Sequence, residues 1–328
     1  MFDTLQGNFE VVITAITVGE AGGIGPEITL RCLAQSPIAS LLNYRVYGPV
    51  DVLRWWAERL SLPMPPDETL VDVGGLSVDQ VTAGRFDAAS GAASFAAVER
   101  AIDDAVAGRV DAVVTGPIQK EAWAAAGIAY PGHTELLAEK TGVDDYHMML
   151  CGEALAVVLV TIHIPLADVP SRLTTAGVER CITAAADVAR RRRKGQSRRP
   201  AITVCGLNPH AGENGMFSRG EEESIITPAI EASRATLSDI EIRGPVPPDT
   251  AFTPAARQAA DVHVCMYHDQ GLIPLKALSF DDGVNVTLGL PIVRTSVDHG
   301  TAMDLAGRGV ANHRSLRAAI RMAAELAT

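Results

Sequence analysis

The chain has 328 residues, 47% of them hydrophobic and 5% aromatic, with a formal net charge of -11. That length buries the core of one large or two medium domains. The acidic balance excludes a nucleic-acid binder, which needs a basic face, and no apolar stretch approaches the length of a membrane helix.

Val11 to Val18 predicts a first strand, too short and too promptly followed by Gly19-Glu20 to be a signal peptide. The glycine-rich segment Gly19 to Glu27 then opens a helix over Pro26 to Gln35, with proline near its first turn. Its spacing is not G-x-G-x-x-G, and the following strand, Tyr44 to Tyr47, lacks the acidic residue that would hold a ribose hydroxyl. These two failures argue against an orthodox Rossmann loop. Two readings stay open: backbone N–H groups offered to an anion, or a tight turn for close strand-to-helix packing. Val50 to Leu60 reads as a helix, and Leu62 to Asp67, with its three prolines, as the most linker-like stretch. Ala88 to Ala107 has helical spacing, with Phe95, Val98, Ile102 and Val106 on one stripe and Gly108 as its stop. Strand Ala112 to Thr115 follows, and the alternation predicts parallel strands joined by helical crossovers.

Thr115 to Lys120 passes from strand to helix, as does Tyr130 to Glu135. In the second, Thr134 caps a helix over Leu136 to Lys140 with His133 just outside it. That is a seat for a phosphate or carboxylate, or a plain helix cap with an exposed histidine. Three further apolar runs, Ala156 to Val160, Ala201 to Leu207 and Val262 to Tyr267, read as buried strands. Each ends at a histidine in a turn: His163, His210 and His268. Ligands gather at the carboxyl ends of strands in open α/β sheets. Three imidazoles placed there suit a borderline divalent metal and leave positions open for a substrate. Taken singly, each is more often structural than a ligand. His147, His263 and His313 are weaker candidates, and His263, inside a strand, reads as a satisfied core residue.

The basic run Arg190 to Lys194, with Arg198 and Arg199, closes a helix from Val178. It is either a solvated helix end or an anion patch. Five cysteines, with no C-x-x-C spacing, fit a reducing compartment and hence a cytoplasmic protein. Lys276 and Arg294 follow apolar runs, where a buried cation needs an anionic partner. Structural salt bridges would meet that need for one cation alone, whereas two near a metal favour an anionic substrate. Asp249 is a loop carboxylate suited to orienting a ligand or moving a proton, or to a simple Asx turn.

Together these segments resemble one family: Gly-Glu-x-x-Gly-Ile-Gly-Pro-Glu at 19 to 27, Thr-Gly-Pro at 115 to 117, and Pro-Gly-His-Thr-Glu at 131 to 135. Asn-Pro-His-Ala-Gly-Glu at 208 to 213 and Gly-Pro-x-Pro-x-Asp-Thr at 244 to 250 follow. Met266 to Gly271, Val284 to Pro291 and Arg294 to Ala302 complete the set. The pattern is similar, over nearly the whole chain, to 4-hydroxythreonine-4-phosphate dehydrogenase, an enzyme of pyridoxal phosphate biosynthesis. Ala21-Gly22 departs from the Pro-Ala more usual there. A weaker likeness links His299 to Gly309 with the nucleotide loop of isopropylmalate and isocitrate dehydrogenases.

The resemblance implies an α/β fold of two α/β/α domains with a cleft between them, isocitrate/isopropylmalate dehydrogenase-like. The approximate boundaries expected are 1–125 plus 296–328, and 126–295. It implies NAD(P)-dependent oxidation of 4-phosphooxy-L-threonine, then decarboxylation to 3-amino-2-oxopropyl phosphate. It further implies a divalent metal (Zn, Mg or Co) on His163, His210 and His268, the last reaching in from the partner of a homodimer with shared active sites. Substrate contacts carry over to His133, Thr134, Lys276, Asn285 and Arg294, and nicotinamide nucleotide binding to Gly300, Thr301, Ala302 and Asp304. Lys276 is expected to shuttle the proton or stabilise charge, with Asp249 or Asp269 as its partner. Rival readings are a D-threonate or D-erythronate 4-phosphate dehydrogenase of the same family, a metal-dependent lyase or hydrolase, and a non-catalytic binder of phosphorylated ligands.

Overall fold

The computed structural model describes residues 12–34 and 43–327. It divides into two compact units, one within Met1–Asp144 and Leu290–Thr328, the other Asp145–Gly289. The divisions fall at 144/145 and 289/290, against the expected 125/126 and 295/296. The reason is packing: helix His133–Thr141 buries Leu136 and Leu137 against Val98, Ile102 and Trp123, so it belongs with the first unit.

The first unit is built on five parallel strands in the order β3-β2-β1-β4-β11. These are β1 (Ile13–Thr17), β2 (Asn43–Gly48), β3 (Leu70–Asp72), β4 (Ala112–Thr115) and β11 (Val293–Val297). Val11, expected to start β1, and Gln35, expected to end the next helix, lie outside the described residues. Helix Ala88–Val106 is opened by a reciprocal cap, in which Ser90 N donates to Asp87 Oδ1 and Asp87 N donates to Ser90 Oγ. The buried stripe of this helix is Ala97, Val98, Ala101, Ile102 and Ala105. Val106, expected on that stripe, is exposed. Alanine lets the helix approach Ala15, Tyr47 and Val113 of the sheet closely, which large side chains would prevent. Helix Arg314–Ala327 packs its Leu316, Ala319, Ile320 and Ala323 face against β11.

The second unit has the order β10-β5-β6-β9-β7-β8. Strands β5 (His147–Cys151), β6 (Ala156–Leu159) and β10 (Val284–Leu288) are joined by antiparallel pairings. Strands β6, β9 (Val262–Cys265), β7 (Ala201–Cys205) and β8 (Glu241–Val246) run parallel. Every residue of β6, β7 and β9 is buried, as expected for strands covered on both faces.

The basic run is structural. It ends helix Thr175–Arg192; Arg190 grips Asp239 through two nitrogens, and Arg193 and Arg198 converge on the buried carboxylate of Asp261. His263 is a core residue: its Nε2 meets Ala251 O at 3.0 Å, and burial pulls its pKa down to about 4. All five cysteines are buried thiols. Among the described residues no helix is long and apolar enough to cross a membrane.

Candidate functional site

In the first unit, the loops at the carboxyl ends of β1 and β4 and the segment after β11 are tied together. Glu20 N donates to Pro117 O, Ile24 N to Thr301 O, and Thr301 Oγ1 to Gln119 Oε1 at 2.7 Å. The glycine-rich loop is buried throughout. A Cβ on Gly22 would stand 1.9 Å from Arg85 O, and one on Gly19, which has φ +78, 2.3 Å from Pro117 O. Of the two readings left open by the sequence, close packing is the one the loop supports, because the N–H groups of Glu20, Gly22, Gly23 and Ile24 are bonded inside the protein. Of the residues expected to bind nucleotide, Thr301 is therefore buried in this junction. Gly300 and Asp304 are exposed on the same segment, and Ala302 between them is left-handed at φ 40, ψ 57.

Beside this junction lies a cationic group. Arg294, on β11, is 3% exposed, donates from Nη2 to Thr115 Oγ1 at 2.8 Å, and has its pKa pulled down to about 10 by burial. His133 packs edge-on to Trp123, with ring centroids 5.8 Å apart. Burial, and then the charges of Arg294 and Lys120, hold its pKa well below the usual 6.5. Its imidazole is neutral at physiological pH, and its buried Nε2 has no hydrogen-bond partner among the described residues. Thr134 does not cap the helix as expected. The helix begins at His133, with Gly132 in the capping position, so His133 and Thr134 both occupy its first turn. A neutral imidazole, a hydroxyl, a guanidinium and the N–H groups of a helix start make a seat for an anion. Sequence reasoning did not single out Thr115 or Lys120. The signal was available, since they are the first and last residues of the segment Thr115 to Lys120 that leads from β4 into a helix.

In the second unit, the three histidines follow three strands that are neighbours in the sheet, in the order β6, β9, β7. His163 follows β6, His268 opens helix His268–Leu278 after β9, and His210 lies in the turn Pro209–Gly212 after β7. All three are delivered to the same end of the parallel strands. The rings of His163 and His268 are 5.6 Å apart, and Nδ1 of His268 is 2.7 Å from Asp269 Oδ1. The two rings line a cavity of about 220 Å³ together with Asp269, Tyr267, Ile162 and Ile164. Two imidazoles, one with its second nitrogen held by a carboxylate, fit the donor chemistry of a borderline divalent cation. Among the described residues of this single chain, no group of three or more His, Cys, Asp or Glu is arranged to hold a metal.

Asp249 sits in the first turn of the short helix Pro248–Ala251, exposed, and that helix packs against the turn carrying His210. Lys276 is half-buried on helix His268–Leu278, seven residues beyond Asp269, so the two share a face. Asn285 is half-buried on β10, opposite Leu150 of β5. A pairing of cysteine and imidazole, Cys181 Sγ to His147 Nδ1 at 3.4 Å, is unreactive, because burial pushes the thiol up to about 12.

Fold and relatives define the class first: this is an α/β oxidoreductase. Residues 46–323 match the model of the pyridoxal phosphate biosynthetic protein PdxA, and the chain belongs to that family. It is 46% identical to the 4-hydroxythreonine-4-phosphate dehydrogenase of Desulfosudis oleivorans, over 96% of each chain. It is 42% identical to the D-threonate 4-phosphate dehydrogenase of Cupriavidus necator, over 96% of this chain and 97% of the other. The crystal structure of the 4-hydroxythreonine-4-phosphate dehydrogenase of Klebsiella pneumoniae superposes with a TM-score of 0.85 at 40% identity, covering 98% and 99% of the two chains.

Proposed function

We propose that the protein oxidises 4-phosphooxy-L-threonine with NAD or NADP and releases carbon dioxide to leave 3-amino-2-oxopropyl phosphate, in pyridoxal 5'-phosphate biosynthesis. The observation that carries this reading is the buried Nε2 of the half-buried, neutral His133, which has no hydrogen-bond partner among the described residues and lies beside Arg294 and Lys120. A phosphate there takes an N–H from His133, charge from Arg294 and a hydroxyl bond from Thr134. Because a hydrogen bond left unmade on a buried group costs about 1–3 kcal/mol, such an atom is a ligand seat in waiting.

His163 and His210 of one copy, with His268 contributed by a second copy, would hold a divalent cation (zinc, magnesium or cobalt), and the segment Gly300, Thr301, Ala302 and Asp304 would hold the nucleotide. When bound, the cation would supply Lewis acidity to the secondary hydroxyl and to the carbonyl formed from it, and the nicotinamide would supply the hydride acceptor. Asp269 holds Nδ1 of His268 at 2.7 Å, which leaves Nε2 as the nitrogen to meet the cation. Lys276, on the same helix face, takes the hydroxyl proton and later returns one to the carbon that loses carboxylate, with Asp249 or Asp269 tuning it. Asn285 orients the substrate's polar end.

The catalytic unit in this proposal is a homodimer with shared sites. Ile273 and Phe280, on and just beyond the helix that starts at His268, are 68% and 78% exposed. A second copy of the chain covers such side chains, and would bring His268 to its neighbour's site. The five buried thiols support a cytoplasmic location. A second reading, oxidation of D-threonate or D-erythronate 4-phosphate, is favoured by the 42% identity to the Cupriavidus enzyme. Incubation of the metal-loaded protein with 4-phosphooxy-L-threonine should release NAD(P)H and carbon dioxide in equal amounts. Hydride transfer seen only with the phosphorylated sugar acids would instead establish the second reading.

A further inference from the structure

His210 stands in an improbable backbone. It has φ 51 and ψ 27, and Ala211, Glu213 and Asn214 are also left-handed, as is Gly212 between them. For side chains other than glycine this conformation costs roughly 1–2 kcal/mol each. It persists only where the surroundings over-determine it.

The element that holds it is Glu222, 2% exposed at the start of the π-helical turn Glu222–Ile226. Its Oε1 accepts N–H bonds from Leu207 at 2.9 Å and from Asn208 at 2.8 Å, and its Oε2 accepts from Asn208 Nδ2 at 3.1 Å. On the far side of His210, Oε2 lies 2.8 Å from where a Cβ on Gly212 would stand. The carboxylate thus fills the hollow of the turn, fastening the strand end that enters it and abutting the residue that leaves it. Asn208 Nδ2 also reaches Glu221 Oε2 at 3.1 Å, so the entry to the turn is doubly anchored.

We infer that Glu222 is a positioning residue that sets the left-handed turn from which His210 reaches the metal. This rests on the reading of His210 as a ligand, and the test separates the two. Full-length protein is stripped of metal with a chelator and titrated calorimetrically with Zn2+. Amide hydrogen exchange at Leu207 and Asn208 is followed in the metal-free state. The variants are Glu222→Ala, Glu222→Gln, His210→Ala and, as a packing control in the same turn, Ile226→Ala.

Residues that orient a metal ligand typically change affinity by about 10-fold to 100-fold. Glu222→Ala should weaken Zn2+ binding within that range and speed exchange at both amides. Glu222→Gln, which keeps the acceptor for the two backbone N–H groups, should lose less. His210→Ala should weaken Zn2+ at least as much as Glu222→Ala, and Ile226→Ala should lower the melting temperature with unchanged affinity. Should the alanine variant not fold, the glutamine variant decides. Wild-type Zn2+ affinity in the Glu222 variants, with His210→Ala impaired, overturns the inference and leaves the ligand reading standing. An equal loss in Ile226→Ala overturns it as general destabilisation. Wild-type affinity in His210→Ala overturns the ligand reading and the inference with it.

Discussion

Replacing Arg294 by methionine should make the protein more stable and unable to bind its substrate. Methionine follows the aliphatic stem of arginine, stops short of the guanidinium, and carries no charge to strip of water. Burial lowers the guanidinium pKa from 12.5 to about 10, which at about 1.4 kcal/mol per unit is a penalty of about 3 kcal/mol on the charged form in the folded state. The bond from Nη2 to Thr115 Oγ1 goes with the side chain, as do the guanidinium's other interactions, and each hydrogen bond lost takes back about 1 kcal/mol. The net expectation is up to about 2 kcal/mol of added stability, a rise of at most a few degrees in melting temperature. Urea and thermal melts at neutral pH measure it, without ligand and with saturating 4-phosphooxy-L-threonine. Wild type should gain about 3 kcal/mol from ligand at a hundred times its Kd, and the variant nothing. A variant less stable than wild type, or one still stabilised by the ligand, would refute the reasoning. Arg294 would then be part of the folded framework and not a cation held for a guest.

Three further outcomes are expected. Asp269→Asn should weaken Zn2+ binding about 10-fold, because the carboxylate that holds His268 Nδ1 is gone; calorimetry showing no change would deny it the orienting role. His263 has a folded pKa of about 4, set by burial, against an unfolded value of 6.5. Below pH 6.5 the unfolded chain takes up a proton that the folded one refuses until about pH 4, so stability falls with pH across that window. The loss at pH 4.5 is on the order of 2–3 kcal/mol. His263→Gln keeps a donor for Ala251 O and does not titrate, so its urea midpoint should fall less between pH 7 and 4.5; an identical fall would contradict the assignment. Ile273→Asp combined with Phe280→Asp should sediment as a folded monomer that binds Zn2+ poorly, whereas a dimer or unaltered affinity would place the shared site elsewhere.

The histidines were legible because parallel strands announce themselves as unbroken apolar runs, and the residue after such a run sits at a strand end whatever the sheet order. That β6, β9 and β7 are neighbours is a fact of tertiary assembly, which no local pattern carries. The glycine-rich loop left two readings open: glycine serves both an anion cradle and close backbone packing, and only the burial of its N–H groups decides between them. Thr134 was read as a cap because threonine usually is one, yet Gly132 lets the helix begin a residue earlier and brings His133 into its first turn. The domain boundary moved for a similar reason, since Leu136 and Leu137 choose their partners by shape. Glu222 gave no signal, because its work is done on backbone N–H groups that look alike in every sequence. His263 could be read as core from its position between apolar strand residues.

The most direct test of the proposed activity compares kcat/KM for 4-phosphooxy-L-threonine, D-threonate 4-phosphate and D-erythronate 4-phosphate, each with NAD and NADP, on protein loaded with a single divalent metal. The account predicts the highest value for 4-phosphooxy-L-threonine, with 3-amino-2-oxopropyl phosphate as product. A clear preference for either sugar acid, or no hydride transfer with any of the three, would contradict it.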